Sequence, residues 1–441
     1  MNGIDPGAVP PARAVAPFLV TAPLGLAVAG IALLGAGPGT LDGPSTPAFL
    51  AAVHGAVLGW LTLSIMGATL QLVPSVLGGR AISARAALTA FVLHSAGVTL
   101  MVAAFAGWRL PLLASGASLA SAGVAVYLLT AARPLLTARA RGPEVLSLRL
   151  AHLLLGAAVA AGLTLALALR FGWFGVTPGL VAAHAHLGIV GWLAIAITGV
   201  TYRLLPMFGI VRGTEPRFAN VLPWALAAAA GAAFVVLAVD PPPAARLVLE
   251  GALAGLGLLW LSDALRLYHS RLRRRSDLYS RATLLSFAFL AAALLLAPAA
   301  AVLPADARPV AGPALQAACG FLLLPGWAGA TLVANSYKIV PFIAWYHRYS
   351  AVAGTRWTPG TGDLYSSRLA HAVLVLVAAA TALAAVAALA SSLPLLRLAG
   401  AAFAAAGVIA CATLAGTFIT RPEQRSAVPS PPGMPAPAIR R

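Results

Sequence analysis

Apolar residues run in long blocks along this chain, and Pro, Gly or Arg clusters punctuate them. Twelve blocks are long enough to cross a bilayer as helices, at about 20 residues each. They predict helices over 15–37, 47–77, 84–107, 110–132, 147–170, 178–208, 217–239, 244–268, 279–302, 312–343, 367–391 and 394–419. The expected organisation is a short cytoplasmic segment over 1–14, one transmembrane domain over 15–420, and a disordered Pro-rich cytoplasmic tail over 421–441. The first apolar run has no convincing cleavage site and is expected to stay as a signal-anchor.

Three of the predicted helices share a written pattern. Gly59-Trp60, Gly191-Trp192 and Gly326-Trp327 are each followed fourteen residues after the Trp by Pro74, Pro206 and Pro341. Between them Gly67, Gly199 and Ala334 align, Tyr202 matches Tyr337, and Arg203 matches Lys338. Trp60 to Trp192 is 132 residues and Trp192 to Trp327 is 135, a period of four helices. Such a period is settled before any site is argued. It predicts an all-α, polytopic membrane fold of twelve helices in three four-helix repeats, about 15–135, 145–275 and 279–420, with pseudo-threefold symmetry.

Composition fits this picture. The chain is 60% hydrophobic and 9% charged, against about 25% charged in soluble domains. Its formal net charge of +18 would suggest nucleic acid for a soluble protein. Here the arginines fall in alternate gaps: Arg80 and Arg85, Arg139 and Arg141, Arg212 and Arg217, Arg271 to Arg275, Arg348 and Arg356. That spacing marks topology and argues against a nucleic-acid partner. It places both termini in the cytoplasm. Cys319 and Cys411 lie in apolar runs and form no CxxC motif. No P-loop, Rossmann glycine fingerprint or GxSxG is present.

The candidate chemistry is histidine. His184 and His186 lie in the sixth apolar run, where an ionisable side chain is costly and marks a functional site. On a helix they point about 200° apart, so they serve two sites, one on each flank. His54 occupies the position of His186, six residues before its Trp, and Ala52 that of His184. The third copy has Cys319 and Phe321 there. His152 and His371 are expected at the cytoplasmic interface, and His269 and His347 in solvated loops. Glu250 is the one carboxylate well inside a span, and Asp263 with Arg266 reads as an i, i+3 pair.

The run His184-Ala-His186-Leu-Gly188-Ile-Val-Gly191-Trp192, followed by Gly199, Tyr202 and Pro206, resembles the tenth helix of the catalytic subunit of haem–copper oxidases. The likeness is to C-type cytochrome c oxidases and nitric oxide reductases. The motif covers about 25 residues; the twelve-helix pattern covers nearly the whole chain. The resemblance implies haem b as cofactor, with His184 facing a high-spin haem and His186 a low-spin one. It implies His54 as the other low-spin ligand, outward haem propionates among Arg109, Arg170, Arg246, Arg308 and Arg397, and a bacterial cytoplasmic-membrane location. A quinol or cytochrome c donor, small partner subunits, and reduction of oxygen or nitric oxide follow from the same likeness.

The chain departs from the family at copper. The family binds this metal with one histidine on the sixth helix and two on the seventh, and 217–239 has none here. With the pair displaced by one repeat, His54 takes a copper-ligand position and His94 becomes the second candidate. Repeat geometry pairs His54 with His184; the family role pairs it with His186. The alternatives to an oxidase are a non-catalytic haem or copper protein of nitric oxide stress or electron transfer, and a transporter reusing the fold.

Overall fold

The structure is a computed structural model that describes residues 9–43, 45–274, 276–299 and 308–420. These are all-helical, with no strand among them. Among the described residues eleven helices are long and apolar enough to cross a membrane: α1 (Ala12–Leu34), α2 (Pro47–Ser75), α3 (Ala84–Ala106), α4 (Leu110–Leu136), α5 (Pro143–Phe171), α6 (Pro178–Gly209), α8 (Pro243–His269), α9 (Leu278–Leu296), α10 (Ala311–Val352), α11 (Ser367–Leu389) and α12 (Leu393–Gly416). The seventh, α7 (Leu222–Ala238), has 17 residues. At 1.5 Å per residue it spans about 25 Å, short of a hydrocarbon core of about 30 Å. Eleven of the twelve expected blocks thus contain helices of spanning length, and the seventh contains a shorter one. α1 begins at Ala12, inside the segment expected to precede it. Most of that segment, the Pro-rich tail and residues 300–307 lie outside the described residues.

Local chemistry sets the ends. Pro47, Pro143, Pro178 and Pro243 open α2, α5, α6 and α8, where a missing N–H costs no hydrogen bond. Ser83 and Thr177 cap α3 and α6 by accepting from Ala86 N and Leu180 N, both at 3.3 Å. The late start of α7 has a specific cause. Asp263 on α8 is buried, and its carboxylate accepts from Arg217 N at 2.9 Å and Phe218 N at 2.7 Å. Tyr202 also donates to it, at 3.4 Å. This corrects the i, i+3 reading: the Arg266 guanidinium turns instead to the Glu215 carbonyl. A buried carboxylate needs several donors, and the loop backbone before α7 supplies them.

A second feature is invisible to helical periodicity. α2, α6 and α10 each widen into a π-helix, over Gly55–Thr62, Leu187–Ala194 and Leu322–Gly329. Trp60, Trp192 and Trp327 are the sixth residue of their segments. Wide turns of this kind concentrate at functional sites. They meet near the centre of the bundle. Trp192 Nε1 donates to Thr62 Oγ1 at 3.0 Å, linking α6 to α2. Trp260 Nε1 on α8 donates to the Thr198 carbonyl at 3.3 Å, and its ring meets Trp327 edge-on at 5.9 Å. Gly59 is required by close approach: its Cβ would stand 3.0 Å from Gly25 Cα on α1. This seam of small residues is the packing expected between membrane helices.

At the opposite, basic end Asp277 caps α9 through Ser280 N at 2.9 Å and accepts from Lys338 Nζ at 2.9 Å. Partial burial opposes ionisation of Asp277, but the Ser280 N–H and the Lys338 ammonium outweigh it and hold the carboxyl below its usual range. A depressed carboxylate stabilises the fold above its unfolded value, about 3.9 for Asp. That contribution is lost as pH falls through the lower folded value. Asp277→Asn is expected to flatten the acid side of a thermal-stability profile between about pH 5 and pH 3. An unchanged profile would show that the Lys338 contact is neutral.

Candidate functional site

The site is built from the N-terminal halves of α2 and α6. His54 and His186 each stand in the turn before a π segment. Each bonds a backbone carbonyl four residues back through Nδ1, to Leu50 at 2.8 Å and Ala182 at 2.8 Å respectively. A carbonyl only accepts, so Nδ1 carries the proton and Nε2 holds the lone pair. This arrangement leaves the second ring nitrogen for a metal, with the backbone fixing ring and tautomer.

His184 departs from the pattern. Its Nδ1 bonds the Ala158 carbonyl on α5 at 3.1 Å instead of a carbonyl of its own helix. Gly162, one turn further along α5, makes the room: a Cβ there would stand 2.8 Å from His184 Cε1. The ring is held across helices, again with Nε2 left over. His54 and His184 lie within electrostatic reach of each other, and the Phe105 ring packs on His54 at 4.7 Å. These Nδ1 contacts are the only hydrogen bonds of either ring among the described residues. The structure leaves His54 and His184 each with one carbonyl partner and Nε2 unpartnered. It turns His186 to the other flank, where Nε2 meets Glu250 Oε1 at 3.5 Å.

Gly162 was not singled out by the sequence. Gly162→Leu is expected to push the His184 ring off Ala158 and to lose whatever His184 holds, without unfolding the protein. The check is His184-dependent ligand binding alongside a thermal melt. Retained binding at full stability would show that the ring has room to turn.

The other histidines sort by the same test. His94 is buried on α3, and its Nε2 bonds the Leu58 carbonyl in the first π segment at 3.1 Å. Its Nδ1 is buried without a hydrogen-bond partner. Among the described residues no three His, Cys, Asp or Glu side chains are grouped to hold a metal ion. His152 is placed differently from expectation. It lies about nine residues into α5, roughly 14 Å from its start, and is buried. Its Nδ1 donates to the Leu148 carbonyl at 2.6 Å, and Tyr127 Oη donates to Nε2 at 2.7 Å. Both nitrogens are used, which is a satisfied structural histidine. His347 is exposed, as expected, but stands in the last helical turns of α10 and not in a loop, and it bonds the Pro10 carbonyl at 3.0 Å. His371 bonds the Ser367 carbonyl at 2.7 Å in an exposed helix start.

The glycines around the pair divide into two kinds. Gly55, Gly59 and Gly191 are packed against Ala29, Gly25 and Leu154. At Gly188 an added Cβ would meet nothing within 4 Å. At the histidine end of the bundle Trp108, Arg109, Leu110, Pro111, Leu112 and Arg170 line a shallow, exposed depression. Arg109 is one turn beyond Phe105 and Arg170 eight residues beyond Gly162, so the depression lies endward of His54 and His184. Neither guanidinium meets a carboxylate among the described residues; Arg170 stacks on Phe171 at 5.3 Å.

Fold and site define a multi-pass helical membrane protein whose sixth helix carries imidazoles on both flanks. No protein-family model matches the chain, and no curated protein matches it significantly.

Proposed function

We propose that the chain is a membrane haem b protein of the haem–copper oxidase type, built as three four-helix repeats, with the haem between α2 and α6. The observation that carries this is the His54–His184 pair: two intramembrane imidazoles on facing helices, each tied through Nδ1 to a carbonyl and each with Nε2 left over. The donor set fits haem iron, which takes axial imidazole nitrogens. The repeat reading is supported by π segments at one register in α2, α6 and α10. The positive-inside rule puts the basic end, with both termini, in the cytoplasm, and the histidine end outside.

Bound there, the haem supplies one-electron redox chemistry. The protein's residues fix its place. His54 and His184 offer Nε2. Leu50 and Ala158 hold the rings by their carbonyls, Phe105 walls one side, and Gly162 leaves space for an imidazole. Arg109 and Arg170 are exposed, meet no carboxylate among the described residues and stand endward of the pair, where they would meet two carboxylates of the cofactor. Paired imidazoles favour electron transfer over direct reaction with oxygen or nitric oxide. His94 bonds Leu58 through Nε2 and leaves Nδ1 without a partner, but among the described residues no three His, Cys, Asp or Glu side chains are grouped to hold a copper ion. That favours the electron-transfer or nitric oxide-stress role over an oxidase with a full copper centre.

The test is a dithionite-reduced minus oxidised spectrum of the purified protein, followed by carbon monoxide. A b-type band that carbon monoxide leaves in place is expected. A band shifted by carbon monoxide would mean an open iron and gas-ligand chemistry. Absence of any haem band would remove the reading and leave a transporter of this architecture.

A further inference from the structure

No Asp or Glu occurs between Asp42 and Glu144, a stretch that brings Arg80, Arg85, Arg133, Arg139 and Arg141 to the basic end of the bundle. The fold gathers these five. The loops that follow α2 and α4 clasp each other. Arg139 N and Ala140 N donate to the Leu77 carbonyl at 3.0 and 3.1 Å, and Arg80 N donates to Thr137 Oγ1 at 3.2 Å. Gly78 makes the clasp possible: its φ is +70°, and a Cβ there would stand 3.1 Å from Arg139 Cβ.

Helix packing places the other arginines. Gly97, Gly116 and Gly123 bring α3 and α4 into backbone contact, opposite Ala120, Met101 and His94 respectively. In this antiparallel register each step forward on α3 is one step back on α4. Arg85 therefore stands level with Arg133 to within one residue. Leu88 stands level with Leu129, about 4.5 Å further into the bilayer at 1.5 Å per residue. Leu88 and Leu129 are 47% and 78% exposed, and Val92, one turn beyond Leu88, is exposed as well.

All five arginines are exposed. Among the described residues none of their guanidiniums has a hydrogen bond, an ion pair or a ring beneath it. Other cations at the same end are engaged by the protein itself. Arg266 bonds the Glu215 carbonyl, Arg271 the Tyr268 carbonyl and ring, Lys338 the Asp277 carboxylate, and Arg348 the carbonyls just past α12. Glu144 is buried in the first turn of α5, with its carboxylate folded back beside Gly142. The N-termini of α3 and α5 lie at this end too and add partial positive charge.

We propose that the α3–α4 face at the basic end binds an anionic phospholipid. Guanidiniums grip phosphate oxygens in a two-pronged fork, and arginine clusters beside membrane helices attract anionic head groups. Arg85 and Arg133 hold the phosphate at one level, and the clasped loops add Arg80, Arg139 and Arg141 around it. Leu88, Val92 and Leu129 lie directly deeper and meet the acyl chains. A free anion would use the arginines and leave those apolar side chains without a partner. With the basic end inside, the lipid belongs to the cytoplasmic leaflet. The site is independent of the haem reading, which concerns the opposite end of α2 and α6.

The experiment uses the full chain in detergent, titrated with phosphatidylglycerol or phosphatidylcholine of the same acyl chains and read by native mass spectrometry. Wild type is expected to bind phosphatidylglycerol at least tenfold more tightly than phosphatidylcholine. The double variant Arg85→Gln with Arg133→Gln is expected to lose at least about tenfold in phosphatidylglycerol affinity, with its lipid-free thermal midpoint unchanged. Arg212→Gln with Arg274→Gln removes the same charge from the same end, away from α3 and α4, and should bind as wild type does. Leu88→Ser with Leu129→Ser should weaken both lipids alike. Equal affinity of wild type for the two lipids would overturn the proposal. So would equal losses in the two arginine double variants, because overall charge and not a site would then be at work. Displacement of the lipid by equimolar inorganic phosphate would overturn it too, since the site would then be one for a free anion.

Discussion

His54→Ala and His184→Ala are each expected to remove at least nine-tenths of the b-type band from the dithionite-reduced protein. The same band should survive His186→Ala and His371→Ala. The reasoning is one of tautomer and partner. His54 and His184 spend Nδ1 on Leu50 and Ala158 and have no other hydrogen bond among the described residues. Removing either would leave one imidazole to hold the group, and loss of a ligand or its orienting shell costs cofactor affinity heavily. His186 is engaged by Glu250 on the far flank, so its truncation acts elsewhere. Loss in His54→Ala and His186→Ala, with His184→Ala intact, would move the cofactor to the pairing that the family role implies.

The second large effect is on stability. Asp263→Ala is expected to destabilise the protein by about 3 kcal/mol or more, because hydrogen bonds to a buried charged group are worth roughly 1.5–3 kcal/mol each. Asp263 is 1% exposed. It receives the Arg217 and Phe218 N–H groups and the Tyr202 hydroxyl. Truncation strands all three donors at the junction of α6, α7 and α8. Asp263→Asn keeps one acceptor oxygen and should lose about half as much. The measure is the thermal midpoint in detergent, with Asp42→Ala as a surface control. A midpoint equal to wild type in Asp263→Ala would show that water replaces the carboxylate.

Both predictions draw on features that the sequence shows unevenly. The helices were legible because apolar runs of bilayer length, ended by Pro or Gly, admit few other folds. The seventh helix was overestimated. Its apolar run starts at Arg217, but the chain there donates its N–H groups to Asp263, and a loop folding back on a distant helix leaves no periodic trace. The recurrence of Gly-Trp marked where the π segments lie without showing what they are, since a single wide turn barely changes a hydrophobic pattern.

The site was half legible. The opposite flanks of His184 and His186 follow from helical geometry alone. The i−4 carbonyl bonds of His54, His186, His152 and His371 could have been expected for histidines on helices. What separates His184 is a contact across helices, to Ala158 beside Gly162, and no local pattern carries that. His152 could have been placed by depth, nine residues into its helix. Its satisfaction by Tyr127 could not, because α4 meets α5 only in three dimensions.

The central claim is that one interface, between α2 and α6, holds one haem between His54 and His184. The most direct measurement is haem content per chain, by pyridine haemochrome assay against amino-acid analysis of the purified protein. The account predicts one haem b per chain. A value near two would place a second haem on the His186 flank, and a value near zero would contradict the haem reading altogether.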